Sequence, residues 1–152
     1  MDANRFAGRA EFISVALGEQ QFAIDIMAVR EIRGWTASTQ LPHAPAYFRG
    51  MINLRGAILP VLDLRARLGL GRAEVAASSV VVVVQIDGRE VGLLVDAVCD
   101  ILQIDEADIQ PTPEIGSPQV HEFVRGVVSS DAGICSLLRL DRLAPAAVAE
   151  AA

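Results

Sequence analysis

Lysine is absent from this chain of 152 residues, and all thirteen of its basic side chains are arginine. Every positive contact must therefore be made by a planar guanidinium, the better group for bidentate recognition of a partner. Without lysine there can be no Walker-type phosphate loop. Aromatic residues are scarce at 5%, too few for an obvious base-stacking platform. The net charge of −6 and a pI near 4.8 oppose a nucleic-acid binder that works by neutralising phosphates. Cys99 and Cys135 are the only cysteines, and His43 and His121 the only histidines; they show no zinc-ligand spacing. Both cysteines sit in apolar sequence, which predicts reduced, buried thiols in a cytosol. Long apolar runs are missing too. The run Val80–Val84 is far shorter than the roughly 20 residues that cross a bilayer. The opening MDANRFAGRAEF mixes charges and has no signal-peptide core. A cytoplasmic protein without direct membrane insertion is expected.

What the chain does have is apolar residues, 52% of the total, in period-two alternation. Ile13, Val15 and Leu17 share one face, a turn follows at residues 17–20, and Phe22, Ile24 and Ile26 resume the alternation, which predicts a hairpin. The layout returns at Val80–Ile101, around an Asp87-Gly88 turn. A shift of 69 positions lays Val29 on Val98, Glu31 on Asp100 and Ile32 on Ile101. A shift of 76 lays RGMINLRGAILPVLDL on RGVVSSDAGICSLLRL, with Arg49-Gly50 on Arg125-Gly126, Ile58 on Ile134 and Leu62 on Leu138. Four elements recurring in one order point to an internal duplication. The fold expected is mainly β: two small β-barrels packed together, with approximate halves 11–79 and 80–143. Short helices are predicted in APAYFRG after Pro42, in DLRARLG and in LDRLAPAAVAEAA, with flexible or helical termini at 1–10 and 144–152.

Signals for catalysis fail one after another. GLGRAE (Gly69–Glu74) lacks the third glycine and the βαβ setting of a dinucleotide site. Asp105, Glu106 and Asp108 lack the glycine and terminal glutamate of a calcium loop and read as a solvated turn. Asp25, Asp63 and Asp96 lie in or just after strands, where structural carboxylates accept backbone or arginine hydrogen bonds. His43 and His121 read as loop residues. No catalytic constellation, metal site or cofactor site is expected.

The arginine-glycine pairs need another explanation. A tight turn is predicted at Asn53–Gly56, where Gly56 supplies a positive φ. Arg55 has no such backbone reason to be there, and a long planar cation on a rigid tip suits contact with a partner. Arg49 reads as a rim charge. In VREIRGW (Val29–Trp35), Glu31 and Arg33 bracket Ile32 between apolar Val29 and Trp35, the pattern of an interface with a greasy centre and charged rim.

Taken together, LGEQQFAIDIMAVREIRGW, LPHAPAYFRGMINLRGAILPVLDLRARLGL, VVVVVQIDGREVGLLVDAVCDIL and IQPTPE closely resemble the CheW family of chemotaxis coupling proteins, from about Glu11 to Leu143. The resemblance implies a single CheW-like domain over 11–143, built as two interleaved five-stranded SH3/OB-like barrels with a C-terminal helix. It implies a non-enzymatic scaffold, without cofactor, that joins cytoplasmic chemoreceptor tips to the regulatory domain of the histidine kinase CheA. Such a protein would be a monomer when free and part of a signalling array when bound. Carried over by matching positions, the receptor groove would hold Val29, Glu31, Arg55 and Ile101, and the kinase surface Gly50, Asn53, Gly56 and Val81. An adaptor for a non-motility pathway is the alternative within that class. A barrel that binds nucleic acid is the alternative outside it.

Overall fold

Tight turns divide the chain into hairpins, and the described residues of the computed structural model are 9–35, 39, 42–112, 122–130 and 133–143. The strands are β1 (Arg9–Leu17), β2 (Gln20–Asp25), β3 (Val29–Gly34), β4 (Phe48–Leu54), β5 (Ala57–Asp63), β6 (Val80–Ile86), β7 (Arg89–Val95), β8 (Ala97–Asp105), β9 (Val124–Ser130) and β10 (Gly133–Leu138). They form two five-stranded sheets. One has the order β8-β1-β2-β10-β9, the other β3-β6-β7-β5-β4. Exchanging each strand with the one five places away turns either order into the other, so each sheet draws strands from both halves of the chain.

The likeness extends to single residues. Val29 opposes Val84 as Val98 opposes Val15, and Ile32 opposes Val82 as Ile101 opposes Ile13. Phe48 opposes Leu62 as Val124 opposes Leu138, with a bulge at Arg49 in one pair and at Arg125 in the other. The Asp63 amide donates to the Tyr47 carbonyl over 2.7 Å, and the Arg139 amide donates to the Phe123 carbonyl over the same distance. Each sheet also curls until its ends meet. Thr39, beyond β3, bridges Met51 on β4, and Gln110, beyond β8, bridges Val127 on β9.

This arrangement explains the valine run. Val81 and Val83 point into one barrel, against Leu59, Val61 and Leu94. Val82 and Val84 point the other way, into a core shared by both sheets with Ile13, Val15, Phe22 and Leu93. A strand buried on both faces can be apolar at every position, and each fully buried valine adds roughly 1.5 kcal/mol or more. At the seam the Arg67 guanidinium lies 4.4 Å from the Tyr47 ring and 4.6 Å from the Phe123 ring, one aromatic from each half. It also donates to the Leu143 carbonyl over 2.7 Å, so a cation contact fastens the two halves together.

The helix expected in DLRARLG is a turn of helix, Leu64–Arg67, capped by the Asp63 carboxylate on the Ala66 amide. The helix expected in APAYFRG does not form. Ala46 and Tyr47 form a turn, and Phe48 is committed to pairing with Leu62 on β5. Leu140–Leu143 is helical, while His121 and residues 144–152 lie outside the described residues. Only one cysteine follows expectation. Cys135 is buried, and burial raises its thiol to about 11. Cys99 is exposed, because β8 is an edge strand and the side chain at that position faces out.

Candidate docking groove and hairpin

The edge strands β3 and β8 belong to different sheets, yet they flank one open groove of about 560 Å³. Val29 and Ile32 line it from β3, Val98 and Ile101 from β8, with Ile13 and Ile26 behind them. Ile32 is 48% exposed and Ile101 62%. Large aliphatic side chains left open at a shared seam mark a surface made for another molecule. Val29 and Ile101, taken from the sequence as groove residues, do lie together here. Ile32 and Val98 were missed as groove residues, although the shift of 69 already pairs each with one of the other two.

Beside the groove stands a charged cluster. Glu31 accepts from Arg33 through one carboxylate oxygen and from Arg55 through the other, both at 2.7 Å. Arg33 chiefly, and then Arg55, hold the Glu31 carboxyl below its usual value of 4.5. Arg55 reaches Glu31 from the tip of the β4–β5 hairpin. Its φ is +53°, followed by +87° at Gly56, and Asn53 accepts the Gly56 amide over 3.0 Å. Left-handed backbone at both turn residues suits a two-residue hairpin, but in an ordinary L-residue it costs about 1 kcal/mol. The β6–β7 turn has Asp87 at this place, with φ +51°, a residue that tolerates the conformation better. Arg55 therefore sits in a strained backbone site, 69% of its side chain in solvent, where its cation is the feature on display. The next strand adds Ile58, 56% exposed, whose counterpart Ile134 is 71% exposed.

Residues 11–148 match the family model for the CheW-like domain. The chain belongs to the CheW family. Over 145 residues it is 51% identical to the chemotaxis protein CheW of Rhizobium meliloti, covering 95% of this chain and 94% of that one. Over 133 residues it is 32% identical to the chemotaxis protein CheW of Klebsiella aerogenes, covering 88% and 80%. The crystal structure of the scaffolding protein TtCheW from Thermoanaerobacter tengcongensis superposes with a TM-score of 0.79 at 33% identity, covering 88% of this chain and 86% of the other. The function class follows the family: a chemotaxis coupling adaptor.

Within this CheW-family chain three sequence readings need revision. Val81 is 1% exposed and packs inside a barrel, so its side chain supports the β4–β5 hairpin from behind instead of meeting a kinase. Gly50 is buried as well, at the β4 bulge with φ +140°; its place there is conformational. Arg49 is no rim charge. Its side chain is 15% exposed and approaches the fully buried Asp63 carboxylate at 3.6 Å. Asn53, Arg55 and Gly56 remain on the surface, joined by Ile58. The signal for Ile58 was its match to Ile134 in the internal repeat, which by itself did not show that both side chains point outward.

Proposed function

We propose that this chain is a non-catalytic link between chemoreceptor tips and the regulatory domain of the histidine kinase CheA, using two separate surfaces. The observation that carries the reading is the aliphatic groove between β3 and β8, with Val29 and Ile101 on opposite walls. An amphipathic helix laid into such a groove buries its apolar face against four branched side chains, the helix-in-groove mode of recognition. The receptor tip is the occupant proposed. The β4–β5 hairpin, with Asn53, Arg55, Gly56 and Ile58, is the proposed kinase surface: a rigid turn with an aliphatic side chain and a guanidinium beside it. Because the Glu31 pair draws Arg55 toward the groove, the two surfaces adjoin there, and Arg55 is assigned to their boundary.

The test is CheA autophosphorylation with receptor-bearing membranes, with and without the protein. Kinase activation that requires both receptor and this chain, and that attractant reverses, supports the reading. Val29→Asp places a carboxylate on the groove wall and is expected to abolish receptor coupling while leaving kinase binding largely intact. Equal loss of both would show that the faces are misassigned. Kinase binding without activation by any of several receptors would assign the protein to a chemosensory pathway other than motility.

A further inference from the structure

The groove is two-fold in its apolar contacts and one-sided in its charges. The repeat places Val29 on Val98 and Ile32 on Ile101, and the strand registers make these pairs structurally equivalent. A helix lying in the groove and the same helix turned end for end would therefore meet nearly the same aliphatic floor. Hydrophobic burial is non-directional and gives little preference between the two poses.

The polar positions have diverged. Where β3 carries Arg30, Glu31 and Arg33, β8 carries Cys99, Asp100 and Leu102. The β3 side gains a further cation from Arg55, which shares Glu31 with Arg33. Glu31 balances one of those two guanidiniums, and Arg30 is engaged by the neutral Gln85 amide oxygen, so this side is net positive. Asp100 leaves the other side negative, and it lines the groove directly. Its backbone is fixed by Ser14, whose hydroxyl accepts the Asp100 amide over 3.0 Å.

We infer that the Arg33–Glu31–Arg55 cluster and Asp100 set the direction in which a partner helix lies in the groove, with its C-terminal end, the negative end of the helix dipole, on the β3 side. The negative end of the helix dipole and any acidic residues in its last turn then face arginine, while the positive N-terminal end faces Asp100. Reversal places like charges together at both ends. The apolar floor holds the helix, and the rim chooses its polarity. This rests on the docking reading above.

The test uses the protein with methyl-labelled isoleucines and a helical peptide from a chemoreceptor tip, carrying a nitroxide near its N-terminus or near its C-terminus. Ile32 and Ile101 report the two sides. The expected result for the parent is that the C-terminal label broadens Ile32 more strongly and the N-terminal label Ile101. In Arg30→Gln/Arg33→Leu/Arg55→Ala, Glu31 and Asp100 become matched carboxylates, and the two labels are expected to broaden both methyls alike. The preference falls from roughly tenfold toward parity, a change that two or three dipole-scale contacts can supply. Asp100→Arg, which makes both sides cationic, is expected to give the same mixing and serves as an independent variant. A parent that already mixes the two poses, or variants that keep one, would overturn the inference. Failure of the peptide to bind the folded parent would overturn the docking reading itself.

Discussion

Removing the Asp63 carboxylate is expected to destabilise the protein severely, although the side chain faces no partner. It is fully buried, and three groups converge on it. One oxygen accepts the Ala66 amide over 3.2 Å and caps the helical turn after β5; the other accepts the Ala73 amide over 2.8 Å and faces Arg49 at 3.6 Å. Loss of a cap costs about 1 kcal/mol, and a buried amide left without an acceptor about 1–3 kcal/mol. Arg49 contributes at the low end of the roughly 3–5 kcal/mol seen when a buried ion pair is broken, because part of it reaches water and can be rehydrated. These effects overlap, so Asp63→Ala is expected to cost about 4 kcal/mol, or roughly 8–16 °C in Tm for a chain of this size. Asp63→Asn keeps an acceptor for the cap and is expected to cost about half as much. Urea unfolding followed by circular dichroism measures both. A cost below about 1 kcal/mol for Asp63→Ala would refute the convergence argument. Equal losses in the two variants would assign the whole effect to the charge on Arg49.

The duplicated site suggests the opposite experiment. Arg139 occupies the place of Asp63 in the second half, beside Arg125 and at the start of the Leu140–Leu143 turn; Arg139→Asp is expected to cap that turn and raise Tm by about 2–4 °C, and a lower Tm would show that the equivalence stops at the backbone. Arg55→Ala is expected to change stability by under about 0.5 kcal/mol and Tm by under about 2 °C, since an exposed ion pair contributes little, while weakening a partner in a pull-down or calorimetric titration. A large fall in Tm would make Arg55 a structural residue. A maleimide is expected to modify Cys99 rapidly in the folded protein and Cys135 only after denaturation, because the buried thiol is raised to about 11 and yields almost no thiolate at neutral pH. Mass spectrometry of the labelled peptides checks this, and early labelling of Cys135 would contradict the packing around β10.

Strands and turns were legible because their cause is local. Period-two alternation and the Asp-Gly and Arg-Gly turns are carried by neighbouring residues, and the repeat offsets compare such local patterns with one another. The exchange of strands was not legible from periodicity, since alternation shows which face is buried but not which sheet buries it; only the resemblance to a family implied it. APAYFRG misled because a short apolar piece with a proline has no periodicity to settle its state, and pairing with β5 decided it. For the groove, Val29 and Ile101 came from matching motifs, while exposure of Ile32 depends on β3 being an edge, a property of the whole sheet. Val81 failed as a site for the same reason, reversed. In a run of five valines every side chain has the same sequence character, and only the fold separates inside from seam.

Strand exchange also sets a timetable for synthesis. Ser14 finds its partner Asp100 86 positions later, and β2 lies beside β10, the last strand among the described residues. At about 5–20 residues per second, β1 has its hairpin partner β2 at once but waits roughly 4–17 s for β8, its neighbour on the other side. Until then the strands of the first half carry unpaired edges and no finished sheet. Pairing between distant segments is slow in any case, so the unpaired apolar strands are exposed to aggregation until the second half arrives. A fragment ending before β6 is expected to be a substrate for chaperones and proteases, never a small stable barrel.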